Sequence, residues 1–239
     1  MVIIIRFIKY VIINMLVFLF LFLVLTIVPI FWVQYIFKKN DKVISDMPFN
    51  GFEFGQELLR ELNLSNVKIE ETKLGDHYDL EEKKVKILDS RLQKKSLTAI
   101  SIICHEIGHA IQHSENYAPL ETRTKIVKNT QWINKFSMSL IYVVLPLVVS
   151  FGAFPLIKIL LPLILLSLII GIVIHLITLE VELDASFNKA YPIMKLKIPV
   201  IYHSQCKSIL RAAAFTYVVG VIRNFLSLRI LWTLLSRIK

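Results

Sequence analysis

The chain has 239 residues, of which 55% are hydrophobic, and its mean hydropathy is +0.62. Ordinary soluble domains are less apolar than this, so the composition favours a membrane protein. The formal net charge of +10 is typical of membrane proteins whose loops contact anionic lipid. Because no basic face with interleaved aromatic residues is visible, we expect membrane lipids and no nucleic acid as partners. Two cysteines far apart in sequence do not indicate a disulfide framework.

The first element is an almost uninterrupted apolar run at residues 1–37. A membrane span needs about 20 apolar residues, so we predict an N-terminal transmembrane anchor. A cleaved signal peptide is the alternative, but the run is too long for an apolar signal core and no small-residue cleavage site follows it.

Two further apolar regions complete the predicted organisation. Residues 38–133 form a polar region outside the predicted spans, and residues 134–179 form a transmembrane hairpin with its turn near Phe151–Pro155. Residues 180–239 contain a short polar stretch and an apolar helix. Because arginines interrupt that helix, we interpret it as a fourth span or as an interfacial amphipathic helix.

The polar region has its own predicted order of helix, strand, strand and helix. Gly51–Leu62 has helical spacing, whereas Val67–Lys73 and Lys84–Leu88 alternate as strands do. Ser96 is a suitable N-cap for a second helix that continues to about His113.

That second helix carries the motif H-E-x-x-H, from His105 through Glu106 to His109. Histidines four positions apart lie on one face of a helix and can bind one metal ion. Catalytic zinc takes three protein ligands and leaves one position for water, and Glu106 would then act as the general base. A solvated polar face is the alternative, but the apolar flanking residues and Gly108 indicate a buried, closely packed helix. We therefore predict one zinc ion per chain.

A third ligand must come from elsewhere. His113 is one further turn along, but helical rotation carries it about 40° away from the other two, which favours a helix-end histidine instead. The metzincin pattern needs a histidine where this chain has Glu115. The other candidate is the acidic cluster Glu180–Ser186, which the predicted hairpin returns to the same membrane surface.

Several separated segments share a family pattern. They are Asp76–Asp79, Lys84–Ile87, His105–His113, Tyr117–Leu120, Arg123, Val181–Ser186 and Ala212–Val218. Together they resemble the bacterial YugP-like neutral zinc metallopeptidases, over most of the chain from about residue 50.

The resemblance implies a gluzincin, in which a glutamate is the third zinc ligand, and it assigns that role to Glu182. Together with the apolar runs, it predicts a mainly α membrane protein with three or four transmembrane helices and a small α+β zincin-like (minigluzincin) catalytic region. A related scheme, found in HtpX and CAAX-prenyl endoproteases, would use Glu180 with Asp184 instead. With Glu182 as the ligand, Asp184 becomes a candidate for orienting a ligand histidine.

Four further features are candidates for substrate binding or for supporting contacts at the site. The strand at Lys84–Leu88 is either the sheet edge that pairs with an extended peptide or an ordinary solvated strand. His77 and Tyr78 either donate to the reacting carbonyl oxygen or belong to a turn stabilised by neighbouring aspartates. Arg123 is expected to bind a carboxylate or a lipid phosphate.

The expected function is a membrane-embedded zinc endopeptidase that cleaves peptides or membrane proteins near the bilayer surface. We expect a multi-pass protein of the cell membrane with its catalytic side in the cytoplasm, because lysines are more numerous on that side. The alternative is a zinc-binding membrane scaffold or partner-binding subunit without proteolytic activity. A transporter is disfavoured, because the motif lies outside the predicted spans.

Overall fold

The computed structural model describes residues 17, 20, 24 and 27–235. The chain divides into two compact units. One contains residues 33–131 and 176–217, which include H-E-x-x-H, and we call it the motif unit; the other contains residues 1–32, 132–175 and 218–239, and we call it the apolar unit. Most of the predicted N-terminal anchor lies outside the described residues, although residues 27–39 are helical and form α1.

The remaining elements follow in chain order. They are α2 (Gly51–Glu61), β1 (Lys68–Thr72), β2 (His77–Asp79), β3 (Lys84–Leu88), α3 (Asp89–Leu92), α4 (Leu97–Ser114), α5 (Ala118–Ser139), α6 (Leu145–Ser150), α7 (Ile157–Leu183), α8 (Tyr191–Lys197) and α9 (His203–Leu235). Two π-helical segments, Leu140–Val144 and Asp184–Ala190, and two 3₁₀ turns, Phe154–Leu156 and Val200–Tyr202, lie between them. The described fold is therefore mainly helical with one small sheet.

Local sequence signals explain where the two long helices of the polar region begin. Asn50 and Glu53 form a reciprocal capping box at the start of α2, with hydrogen bonds of 2.9 and 2.8 Å to each other's backbone N–H groups. Ser96 accepts a hydrogen bond from the backbone N–H of Ala99 at the start of α4, as its position predicted. The predicted order of helix, strand, strand and helix is confirmed, with β2 and α3 as additional short elements.

The sheet has the strand order β1-β3-β2. β1 is parallel to β3, with Ile69 opposite Val85, and β2 is antiparallel to β3, with Tyr78 also opposite Val85. Of the two alternatives for Lys84–Leu88, the substrate-binding edge is excluded, because β3 is hydrogen-bonded on both sides. β2, where the sequence suggested a turn, is an edge strand of this sheet.

Helix α4 is the centre of the motif unit. Fifteen of its eighteen residues are buried, and its Ile100, Ile103 and Ile107 are fully enclosed. Val85 and Ile87 of β3 belong to the same apolar cluster. Burial of each such side chain contributes about 1.5–3 kcal/mol, so this packing fixes the position of the helix that carries H-E-x-x-H.

The segment after α7 approaches α4 very closely. A Cβ atom added to Gly108 would lie 2.7 Å from the carbonyl oxygen of Ala185, at the start of the π-helical segment. Only glycine permits this approach, which explains the small residue inside the motif. π-Helical turns are frequent at functional sites, and this one begins two residues after Glu182.

The apolar unit contains the beginning of α7. Within the described residues, one continuous helical stretch, Ile157–Lys197, is long and apolar enough to cross a membrane. It consists of α7, the π-helical segment that follows and α8. Its exposed side chains include a row of large apolar residues: Ile159, Leu163, Leu166, Ile169 and Val173. Before α7, the helical path breaks at residues 151–153, the position at which the sequence predicted a turn. The same unit places His175 against Gly220.

Candidate metal centre

Three buried side chains converge in the motif unit. Nitrogen Nε2 of His105 lies 3.0 Å from Oε2 of Glu182, and Nε2 of His109 lies 3.5 Å from the same oxygen. Ligand atoms of all three residues lie within 4.8 Å of one another. Their exposed fractions are 5%, 6% and 3%. The structure thus brings together the two motif histidines and the glutamate that the family resemblance assigned as third ligand.

Gln112 fixes the orientation of His109. Its Nε2 donates to the backbone oxygen of Val181 at 2.9 Å and to Oδ2 of Asp184 at 2.8 Å. These two acceptors place the amide oxygen of Gln112 against Nδ1 of His109, at 2.9 Å. Because that oxygen can only accept, Nδ1 donates, and in the neutral ring the lone pair lies on Nε2, facing Glu182.

His105 is oriented by a second contact of the same kind. The hydroxyl of Ser186 lies 3.1 Å from Nδ1 of His105, and Ser186 is fully buried. Glu182 and Ser186 are four residues apart, so both project from one side of the helix toward this imidazole. Each ligand histidine therefore has its Nδ1 bonded to the protein and its Nε2 directed at Glu182, the arrangement of outer partners typical of metal sites.

Glu106 lies beside the three side chains and is 7% exposed. It lines a cavity of about 420 Å³ together with His105, His109 and Glu182. The same cavity is lined by apolar side chains from α1, α4 and α5, including Phe37, Ile102 and Leu120, and by residues of β2. A carboxylate next to a candidate metal centre in a partly apolar cavity is well placed for proton transfer.

Two arginines belong to the wall of this cavity. Arg91 forms an ion pair with Asp76 and lies over the ring of Phe37. Arg123 lies 3.4 Å from Oε1 of Glu182 through its Nη2 atom. The two oxygens of Glu182 thus face different groups, Oε2 toward the histidines and Oε1 toward Arg123.

Three other predicted candidates occupy different positions. Glu180 is exposed and is not part of the buried group of ligand atoms. Asp184 does not contact a ligand histidine directly in the described hydrogen bonds; it acts through Gln112. His113 points to the hydroxyl of Tyr78, with its Nδ1 at 2.9 Å, instead of to terminal helix carbonyls.

His77 and Tyr78 are strand residues of β2, and both line the cavity. Nδ1 of His77 hydrogen-bonds with the backbone oxygen of Gly75 at 2.8 Å. Burial, assisted by the charge of Asp79, raises the pKa of Tyr78 to about 12. Its hydroxyl therefore stays protonated near neutral pH and is engaged with His113, which makes Tyr78 a structural contact of α4.

The sequence analysis missed Gln112, Ser186 and Arg91 as parts of the site. A signal existed for the first two. Gln112 follows His109 by three positions and Ser186 follows Glu182 by four, so each lies one helical turn beyond a candidate ligand. Arg91 carried no such signal, because only the fold of α3 brings it to the cavity.

The donor set fits zinc. Two imidazole nitrogens and one carboxylate are the ligands of gluzincin-type catalytic zinc sites, and three protein ligands leave a position for water. The Nδ1 contacts present each Nε2 atom for coordination.

Comparisons with known proteins agree with this geometry. Residues 15–236 match the family described as "Putative neutral zinc metallopeptidase". A relative from Bacillus subtilis (strain 168), "Putative membrane protease YugP", is 35% identical over an alignment of 115 residues, which covers 44% of this chain and 51% of that protein. The alignment thus spans about half the length of this curated relative, and no solved structure matches the chain. Because the family match covers most of its length, the chain belongs to the neutral zinc metallopeptidase family.

Proposed function

We propose that the protein is a membrane-embedded, zinc-dependent endopeptidase with one zinc ion per chain, held by His105, His109 and Glu182. The observation that carries this proposal is the convergence of these three side chains within 4.8 Å, beside a cavity that Glu106 also lines. A zinc-binding scaffold without activity would not require the buried carboxylate of Glu106 beside the three ligands. Zinc bound there would supply an acidic water molecule and polarise a substrate carbonyl.

The protein's own residues have separate tasks in this proposal. Glu106 takes the proton of the attacking water and passes it to the nitrogen of the departing amine, so that the C–N bond breaks without releasing an amide anion. Gln112 and Ser186 hold the two imidazoles in position. The partly apolar walls limit the water around Glu106, which strengthens the electrostatic interactions of its carboxylate.

The proposed substrate is an extended segment of a peptide or membrane protein. β2 supports this proposal, because it is an edge strand of the described sheet and its residues line the cavity. An edge strand can form backbone hydrogen bonds with an added peptide strand. β2 thus offers the free strand edge that was one of the two alternatives for Lys84–Leu88.

We also propose a multi-pass location in the cell membrane with the motif unit in the cytoplasm and in contact with lipid. The exposed apolar row of α7 supports membrane insertion, because large exposed apolar surfaces are rare in soluble monomers. Lysines of the polar regions lie close to the predicted spans, for example Lys38, Lys39 and Lys42. They support a cytoplasmic position of these regions, because lysines beside membrane spans favour the cytoplasmic side.

The test is cleavage by the detergent-purified, zinc-loaded protein of a peptide mixture prepared from a bacterial proteome, followed by mass spectrometry. We expect new termini with the wild type and their loss with Glu106→Gln, which keeps its zinc; loss of a general base lowers the rate by about 10²–10⁴-fold. Cleavage by Glu106→Gln at the wild-type rate would refute the mechanism. Zinc binding without any cleavage by the wild type would favour the scaffold alternative.

A further inference from the structure

Arg123 has fewer hydrogen-bond partners than its chemistry demands. Its guanidinium group carries five N–H donors, and its side chain is 24% exposed. Within the described part of the chain, its recorded hydrogen bond is the 3.4 Å contact from Nη2 to Glu182, and its buried Nε has no partner. A buried donor without an acceptor is costly, so this group is suited to receive an acceptor that arrives from outside.

The charges around Arg123 also favour an acceptor from outside. Arg91, the other cavity arginine, has Asp76 as a counterion. Arg123 faces the outer oxygen of Glu182, whose other oxygen faces the two histidines. When Glu182 also binds a metal ion, its carboxylate neutralises less of the positive charge of Arg123. An additional oxygen acceptor at Arg123 is then favoured.

The cavity limits what that ligand can be. Arg123 and the edge strand β2 both line it, and the apolar side chains Phe37, Leu80 and Leu120 lie in its wall. An extended peptide offers a carbonyl oxygen at each residue and uses its other backbone groups to pair with a strand edge. A peptide bound along this wall would therefore offer a backbone carbonyl oxygen as the acceptor for Arg123.

We propose that Arg123 is a substrate-positioning residue whose guanidinium group binds a backbone carbonyl oxygen of the peptide next to the scissile bond. This inference rests on the proposed peptidase function and extends it. The planar fork of donors fixes both the position and the direction of the carbonyl, which a lysine ammonium cannot do equally well. Arg123 thereby holds the peptide in register with the attacking water.

The test measures peptide binding separately from catalysis. The reporter is the peptide cleaved fastest in the proteome digest, labelled with fluorescein, and binding is followed by fluorescence anisotropy in the zinc-loaded Glu106→Gln protein. Loss of a hydrogen bond from a charged group corresponds to about 10–100-fold weaker binding, and we expect that loss for Arg123→Ala. Arg123→Lys should lose less. Lys125→Ala, whose side chain is 76% exposed on the same helix, should bind as before.

Zinc content and steady-state kinetics complete the experiment. We expect Arg123→Ala to keep one zinc per chain and, with Glu106 intact, to raise KM more than it lowers kcat. Unchanged peptide affinity would overturn the inference, and so would loss of zinc, because Arg123 would then serve only to hold Glu182. If Arg123→Ala does not fold, Arg123→Lys decides by the same measures. A wild type that cleaves no peptide refutes the proposed function itself, and this inference with it.

Discussion

Replacing Gly108 by alanine tests whether close packing of α4 against the π-helical segment builds the metal site. The new Cβ atom would lie 2.7 Å from the carbonyl oxygen of Ala185 and 3.3 Å from its carbonyl carbon. A carbon–oxygen contact needs about 3.3 Å or more, so the two segments must separate by roughly 0.6 Å. Both neighbours are backbone atoms, which cannot move aside as a flexible side chain can.

This separation acts directly on the third ligand. Glu182 lies one helical turn before Ala185, so displacement of that turn moves its carboxylate away from His105 and His109. Metal–ligand distances tolerate about ±0.2 Å, which is well below the required shift. Alanine gains about 1 kcal/mol of helix propensity over glycine, but overpacking costs about 1–3 kcal/mol. We expect a modest loss of stability and zinc binding weakened about 10–100-fold, as for other displaced metal-site contacts.

The assay is zinc competition with a chromophoric chelator, together with thermal unfolding of the metal-free protein. Gly55→Ala is the matched control: its Cβ would meet the side-chain methyls of Ile69 and Ile103 at 2.5 and 2.8 Å, away from the metal ligands. We expect Gly55→Ala to lower stability and to keep the zinc affinity. A Gly108→Ala protein whose zinc affinity stays within twofold of wild type would refute the reasoning.

Two further predictions concern the ligands. Elemental analysis should find about one zinc per chain in the wild type and in Glu180→Ala but none in Glu182→Ala; the reverse pattern would move the ligand to Glu180. In the metal-free protein, burial opposes a charge on His109, but Glu182 and Glu106 raise its pKa to about 9. This pKa exceeds the reference value of about 6.5 for histidine. The contribution of protonated His109 to the stability of the folded protein is therefore complete below pH 6.5 and is lost as the pH rises through about 9. Zinc must displace the proton, so zinc affinity should rise about tenfold per pH unit between pH 7 and 9; chelator competition that gives a flat profile there would contradict this.

The sequence predicted those parts of the fold and site that depend on local interactions. The motif spacing places His105 and His109 on one face of α4 whatever surrounds it, and Ser96 caps that helix through a contact three residues away. Alternation identified β1 and β3 for the same reason. Glu182 required more than local pattern: its assignment came from the family resemblance, and the structure places it beside both histidines.

The parts that were missed depend on distant contacts. β2 is three residues long, too short for alternation to be visible, and it exists because it pairs with β3. The strand order that makes β3 central cannot be read from either strand alone. The role of Gln112 depends on Val181 and Asp184, which are about 70 positions away in the chain and which the fold brings to its amide group.

The location of the ligands implies that zinc binding and tertiary packing depend on each other. His105 and Glu182 are 77 positions apart in the chain. The contacts that orient them, through Gln112, Ser186 and Gly108, all join α4 to the end of α7 or to the π-helical segment after it. Without that packing, α4 offers zinc two ligands instead of three. A ligand that binds only the packed state stabilises it in proportion to the logarithm of its concentration. Zinc should therefore strengthen the α4 contact as much as that contact strengthens zinc binding, and mutations on either segment should affect both.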